Sequence, residues 1–128
     1  MRGNGDYMTE QQIIETLATE VMGWVIQDDY RDHLNPRKIF FDEVNSKWIG
    51  YVEHWNPLED LNHTFQVVDQ IEKSGFDIQI YKSEGFTNIE IIESTTVFIV
   101  VEYEDLSLTK AICKAAMEWV ALPDEEII

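Results

Sequence analysis

Between Phe76 and Tyr103 the chain adopts a hydrophobic period of two, and that change limits the fold more than any other feature. Phe76, Ile78 and Ile80 alternate with Asp77, Gln79 and Tyr81, as in a half-buried strand. Asn88 to Glu93 and Thr96 to Tyr103 continue in β-branched and aromatic residues, separated only by Ser94-Thr95. The segment therefore predicts a three-stranded antiparallel meander with Val97 to Val101 as the interior strand. Lys38 to Asp42 and Lys47 to Val52, split by Asn45-Ser46, predict a smaller hairpin.

Helical periodicity surrounds these stretches. Thr9 with Gln12 three residues on forms a capping box, and Ile13, Ile14, Leu17, Ala18, Val21 and Met22 follow at helical spacing, with Gly23 as the stop. A second helix is predicted from Asn56 as cap, Pro57 at the first helical position and Glu59 near the positive dipole end. Its apolar face would be Leu58, Leu61, Phe65, Val68 and Ile71, and Lys73-Ser74-Gly75 its end. Ser107 precedes a third, with Leu108, Ala111, Ile112, Ala115, Ala116 and Trp119 on one side. The order of helix, hairpin, helix, three strands and helix predicts an α+β fold, an antiparallel sheet covered by three helices in an α-β-α sandwich.

One domain suffices for 128 residues, since a chain of this size buries roughly two-thirds of its unfolded surface. Residues 1–7 read as an N-terminal extension, 8–121 as the domain and 122–128 as an acidic tail. The longest apolar run, Val97 to Val101, is far short of the roughly 18 residues of a membrane helix, and the first residues carry no apolar leader. A cytoplasmic protein is expected. A single cysteine, Cys113, forms no internal disulfide and suits a reducing compartment. With 25 acidic against nine basic residues and a net charge of −16, direct nucleic-acid binding is disfavoured.

Val21-Met22-Gly23-Trp24, the helix entry Trp55-Asn56-Pro57-Leu58-Glu59-Asp60, Gly75, and Ala111-Ile112-Cys113-Lys114-Ala115-Ala116 stand in an order and spacing that resembles the phage ABA sandwich domain. This family comprises small proteins of tailed phages and prophages, and the resemblance covers about residues 8–121. It implies an α-β-α arrangement and a phage or prophage accessory protein acting in the host cell. It implies no catalytic residue. The acidic stretch Gln27 to Val52 and the tail Asp124-Glu125-Glu126 depart from the family pattern.

No nucleophile elbow, phosphate loop or dinucleotide fingerprint occurs, so neither a catalytic residue nor a cofactor is expected. Cys113 reads as a small core residue. His33, among Asp28, Asp29 and Asp32, invites a metal, yet the spacing reads better as a solvated loop and no metal site is expected. The strongest lead is aromatic. Trp24, Trp48 and Trp55 with His54 and His63 could line a pocket for a ligand or partner, although Trp55 also suits a hydrophobic staple against Leu61. Asp28, Asp29, Asp32, Asp42 and Glu43 form the candidate acidic interaction surface.

The leading expectation is a non-enzymatic module that binds a host or phage protein, with edge strands that also allow self-association. The alternatives are an acidic DNA mimic and a small-molecule, for example nucleotide, binding protein.

Overall fold

The computed structural model describes residues 8–123, so the expected extension at 1–7 and Asp124-Glu125-Glu126 of the tail lie outside the described residues. Thr9 caps α1 (Glu10–Thr16) as its sequence predicts: its Oγ1 accepts from the Gln12 N–H at 3.1 Å, and Gln12 Oε1 accepts from the Thr9 N–H at 2.9 Å. The helix then widens into a π turn at Leu17–Val21, closed by the Met22 N–H on the Leu17 carbonyl at 3.0 Å. Gly23, at φ 77°, takes the left-handed conformation that a side chain disfavours and turns Trp24 out of the helix line.

The first antiparallel sheet holds β1 (Val25–Asp29), β2 (Arg37–Asp42) and β3 (Lys47–Tyr51) in that order. The hairpin β2–β3 matches expectation; β1 does not. Asp28 and Asp29 belong to this strand rather than to a solvated loop, because Asp28 stands opposite Lys38 in register and accepts from its Nζ at 3.0 Å. A cross-strand ion pair supplies what hydrophobic alternation does not.

A 3₁₀ turn, Val52–His54, leads to α2 (Leu61–Lys73), whose cap is Asp60 rather than Asn56. Asp60 Oδ1 accepts from the Asn62 and His63 N–H groups at 2.9 and 3.4 Å. Asn56 instead organises the preceding turn, its side chain accepting from the Leu58 N–H and its carbonyl from the Asp60 N–H. That turn is locked into the core: the Pro57 carbonyl accepts from Thr64 Oγ1 at 2.6 Å and from the Cys113 thiol at 3.2 Å, and the Leu58 carbonyl from Thr109 Oγ1 at 2.6 Å. Starting at Leu61, α2 buries Thr64, Val67, Val68 and Ile71, and leaves Leu61 and Phe65 exposed. The apolar face predicted through Leu61 and Phe65 is thus corrected by a rotation of the helix.

The second sheet comprises β4 (Phe76–Ser83), β5 (Phe86–Glu93) and β6 (Ile99–Asp105), the predicted meander. Its central strand is β5, not the segment through Val97–Val101: Val97 and Phe98 lie exposed in the connection and β6 forms an edge. Ser107 caps α3 (Leu108–Val120). Ile89, Ile91 and Val101 meet Ala111, Ile112, Ala115 and Ala116 of α3 in the core, where Leu17 and Ile71 also reside. Helix α3 packs on β5 and β6, α2 on β4 and α3, and the π turn on both helices. The fold is α+β with two three-stranded antiparallel sheets in place of the single sheet expected.

Candidate functional site

The first sheet and α2 flank an open-mouthed pocket of ≈ 460 Å³, within the range of small-molecule sites. Its base is aromatic. Trp24, released by the Gly23 turn, stands edge-on to Trp55 with centroids 5.1 Å apart, and Phe40 of β2 packs 5.6 Å from Trp24 and 5.9 Å from Trp55. Tyr51 of β3 and His54 of the 3₁₀ turn border the pocket, ring to edge at 5.6 Å, with the Tyr51 ring covered by the Arg37 guanidinium at 3.4 Å. The α2 wall is His63, Gln66, Gln70 and Lys73, spaced three, four and three residues apart on one helical face, with Asp69 beside them. Lys47 of β3 borders the pocket from the sheet side.

Two of these side chains are fixed in orientation by their partners. The Trp55 indole donates to Gln66 Oε1 at 2.7 Å, and because an indole N–H can only donate, Gln66 is left with its NH₂ end free. The Asn56 backbone N–H donates to His63 Nδ1 at 3.0 Å, so the neutral ring carries its proton on Nε2. His63 Nδ1 also lies 3.8 Å from Asp60 Oδ2, but the shorter bond from Asn56 decides the tautomer. The lining is therefore rich in donors. Among the described residues, Lys47 and Lys73 form no ion pair, whereas Arg31, Arg37, Lys38, Lys110 and Lys114 each face a carboxylate.

Of the aromatic and histidine residues singled out in the sequence, the fold brings Trp24, His54, Trp55 and His63 to this one pocket. Trp55 is held by Trp24, Phe40 and Gln66, not stapled to the exposed Leu61. His54 and His63 contact different rings, Tyr51 and Trp55. Trp48 is outside the lining: it lies half-exposed on the opposite face of the first sheet, edge-on to Tyr51, with the Arg31 guanidinium 6.0 Å away. Sequence reasoning missed Lys47, Gln66, Gln70 and Lys73. The last three were detectable as a polar stripe at helical spacing beside the buried one.

The acidic residues of the first sheet are largely engaged. The Lys38 ammonium, followed by the Tyr30 hydroxyl, holds the Asp28 carboxyl below its ordinary range; the Arg31 guanidinium does so for Asp29 and that of Arg37 for Glu53. Asp42 is lowered by the Asn45 side-chain and backbone donors, and Asp32 accepts from the Leu34 N–H at 3.0 Å. Glu43 is exposed in the β2–β3 turn. A row of carboxylates with no ion pair among the described residues lies elsewhere, on the outer face of the second sheet: Asp77, Glu90, Glu102 and Glu104, with Glu90 and Glu102 directly opposite each other.

Cys113 is fully buried, and burial pushes its thiol up to about 12, which keeps it out of nucleophilic chemistry. His33 is exposed in the β1–β2 connection, and the described residues contain no group of three or more His, Cys, Asp or Glu arranged to hold a metal ion. Among the described residues no helix is long and apolar enough to cross a membrane.

No curated protein and no solved structure matches this chain. The family model of the phage ABA sandwich domain matches residues 15–117, which run from the end of α1 into α3 and include every residue of the pocket. The chain belongs to the phage ABA sandwich domain family.

Proposed function

We propose that this phage-associated protein is a non-enzymatic small-molecule binder that holds a planar ligand between the first sheet and α2. The observation that carries this reading is the pocket itself, where three packed aromatic side chains meet oriented polar groups on an α2 face that is not used for the core. Apolar walls with a few convergent donors are the usual composition of a ligand site. A planar ring would exchange water for contact with the imidazoles and the exposed edge of Trp55, while Gln66, Gln70 and His63 would set its orientation. In a host cell, such a protein acts by sequestering its ligand. The layered helix and sheet arrangement implied by the family name is compatible with this site at the junction of the first sheet and α2.

Native mass spectrometry of the protein recovered from infected host cells tests the reading. The expected result is a reproducible small-molecule adduct that is lost in Gln66→Leu/Gln70→Leu and kept in Trp48→Phe. Bare protein, or an adduct indifferent to both changes, overturns it.

A second reading, binding of a host or phage protein, is favoured by Val97, Phe98 and Ile99, three consecutive exposed apolar side chains beside the β6 edge. Its test is a purified partner whose affinity falls on Phe98→Asp and is unchanged by Gln66→Leu.

A further inference from the structure

We infer that the ligand of this pocket is an anion, a planar ring bearing a phosphate or comparable oxyanion, gripped by Lys47 from β3 and Lys73 from the end of α2. This rests on the ligand-binding reading above. With 25 acidic residues against nine basic ones, the protein repels anions at long range. An anion can therefore be held only where cations touch it directly. Five of the basic side chains are already neutralised by carboxylates: Arg31 by Asp29, Arg37 by Glu53, Lys38 by Asp28, Lys110 by Glu10 and Lys114 by Asp105. Among the described residues, Lys47, Lys73 and Lys82 remain without an ion pair, and two of these three border one pocket.

The neutral groups agree in sign. Gln66 is obliged by Trp55 to keep its NH₂ end free, and His63 is obliged by Asn56 to carry its proton on Nε2. The lining thus includes two lysines and two fixed neutral donors against one carboxylate, Asp69, with Asp42 near enough to Lys47 for its carboxyl, lowered first by the Asn45 donors, to be lowered by that charge as well. Donors that border a partly enclosed space bind charge more strongly than the same donors in open water. A structural role exists for each lysine: Lys73 lies in the last turn of α2, where a cation favours the helix dipole, and Lys47 stands opposite Asp42 in the β2–β3 register. Neither role requires both lysines to border one pocket or predicts anion affinity.

Adenosine, AMP and inorganic phosphate, titrated into the full chain with tryptophan emission and calorimetry, separate ring from charge. AMP should bind about tenfold or more tighter than adenosine, as charge-assisted hydrogen bonds imply. Lys47→Met and Lys73→Met should each lower the ratio of AMP to adenosine affinity towards one, a readout that their small structural roles do not move, and Lys82→Met, outside the pocket, should leave that ratio unchanged. Added salt should weaken AMP and not adenosine. Equal affinity for AMP and adenosine, or AMP binding insensitive to both lysine changes, overturns the inference. An uncharged natural ligand found by native mass spectrometry overturns the anion and keeps the pocket; bare protein combined with no response to AMP overturns both.

Discussion

The two sheets of this protein have the same number of strands and the same antiparallel order, yet they are held in opposite ways. The β4–β6 sheet is a conventional half-buried sheet: Thr87, Ile89, Ile91 and Val101 point into a core shared with α3, and the opposite face carries Asp77, Glu90, Glu102 and Glu104. The β1–β3 sheet buries two side chains, Ile39 and Phe40, and relies for the rest largely on ring stacks and ion pairs, with Arg37 over the Tyr51 ring at 3.4 Å and Asp28 bound to Lys38. A sheet stabilised by burial has no room for a ligand on its packed face. One held from outside can leave its inner face lining a pocket, and that is where Trp24, Trp55 and the α2 polar stripe meet.

The difference can be tested by mutation. Phe40→Ala should cost about 3–5 kcal/mol and Ile91→Ala about 2–5 kcal/mol in denaturant unfolding. They should differ in kind: Phe40→Ala should abolish ligand response and loosen amide protection first in β1 and β3, whereas Ile91→Ala lowers protection everywhere. Uniform loss of protection in both variants would contradict the contrast.

Val97, a β-branched residue at φ 62°, stores strain in the connection that crosses from β5 to β6. Val97→Gly should raise stability by about 1 kcal/mol, because the left-handed penalty exceeds the extra chain entropy of glycine. No gain in melting temperature would show that the strain is compensated by its neighbours.

On the outer face of the second sheet, Glu102→Lys should replace repulsion of Glu90 by attraction and gain about 0.2–1 kcal/mol, an increment that disappears at high salt. A gain that persists in salt would point to packing instead of charge.

The smallest effect concerns pH. Asp28, Asp29 and Glu53 have folded values depressed below their unfolded ones, so their pairs stabilise the first sheet above the ordinary carboxylate range of about 4 and lose that contribution as pH falls through the depressed values. Protection of β1 amides should therefore decline below about pH 4. Lys38→Met should return the Asp28 carboxyl towards its ordinary titration in a carbon-13 NMR series. An unchanged Asp28 would remove the cross-strand pair from the account of β1.

Much of the second region was legible in the sequence. Period-two alternation marked β4 and β5, and the caps Thr9 and Ser107 set the starts of α1 and α3, because these signals act within three or four residues. The apolar surroundings of Cys113 announced its burial for the same reason. Where two local signals competed, the outcome lay beyond the sequence. Asn56 and Asp60 can each cap a helix, and Asp60 prevails because Thr64, Cys113 and Thr109 bond the carbonyls of the intervening turn. The most apolar run, Val97–Val101, reads as an interior strand, yet hydrophobicity does not specify which strands become neighbours, and β5 takes the centre.

By itself, then, the sequence determined the helices, most of the strands, the acidic character and the aromatic and imidazole residues from which a site could be built. Only the tertiary structure decided that Trp24 and Trp55 converge while Trp48 turns away, that β1 joins the first sheet, and that Lys47 and Lys73 border the same pocket as Gln66 and His63. The reason is range: caps and periodicity are set by neighbours along the chain, whereas pockets and ion pairs are set by residues brought together only when the sheet and α2 close on each other.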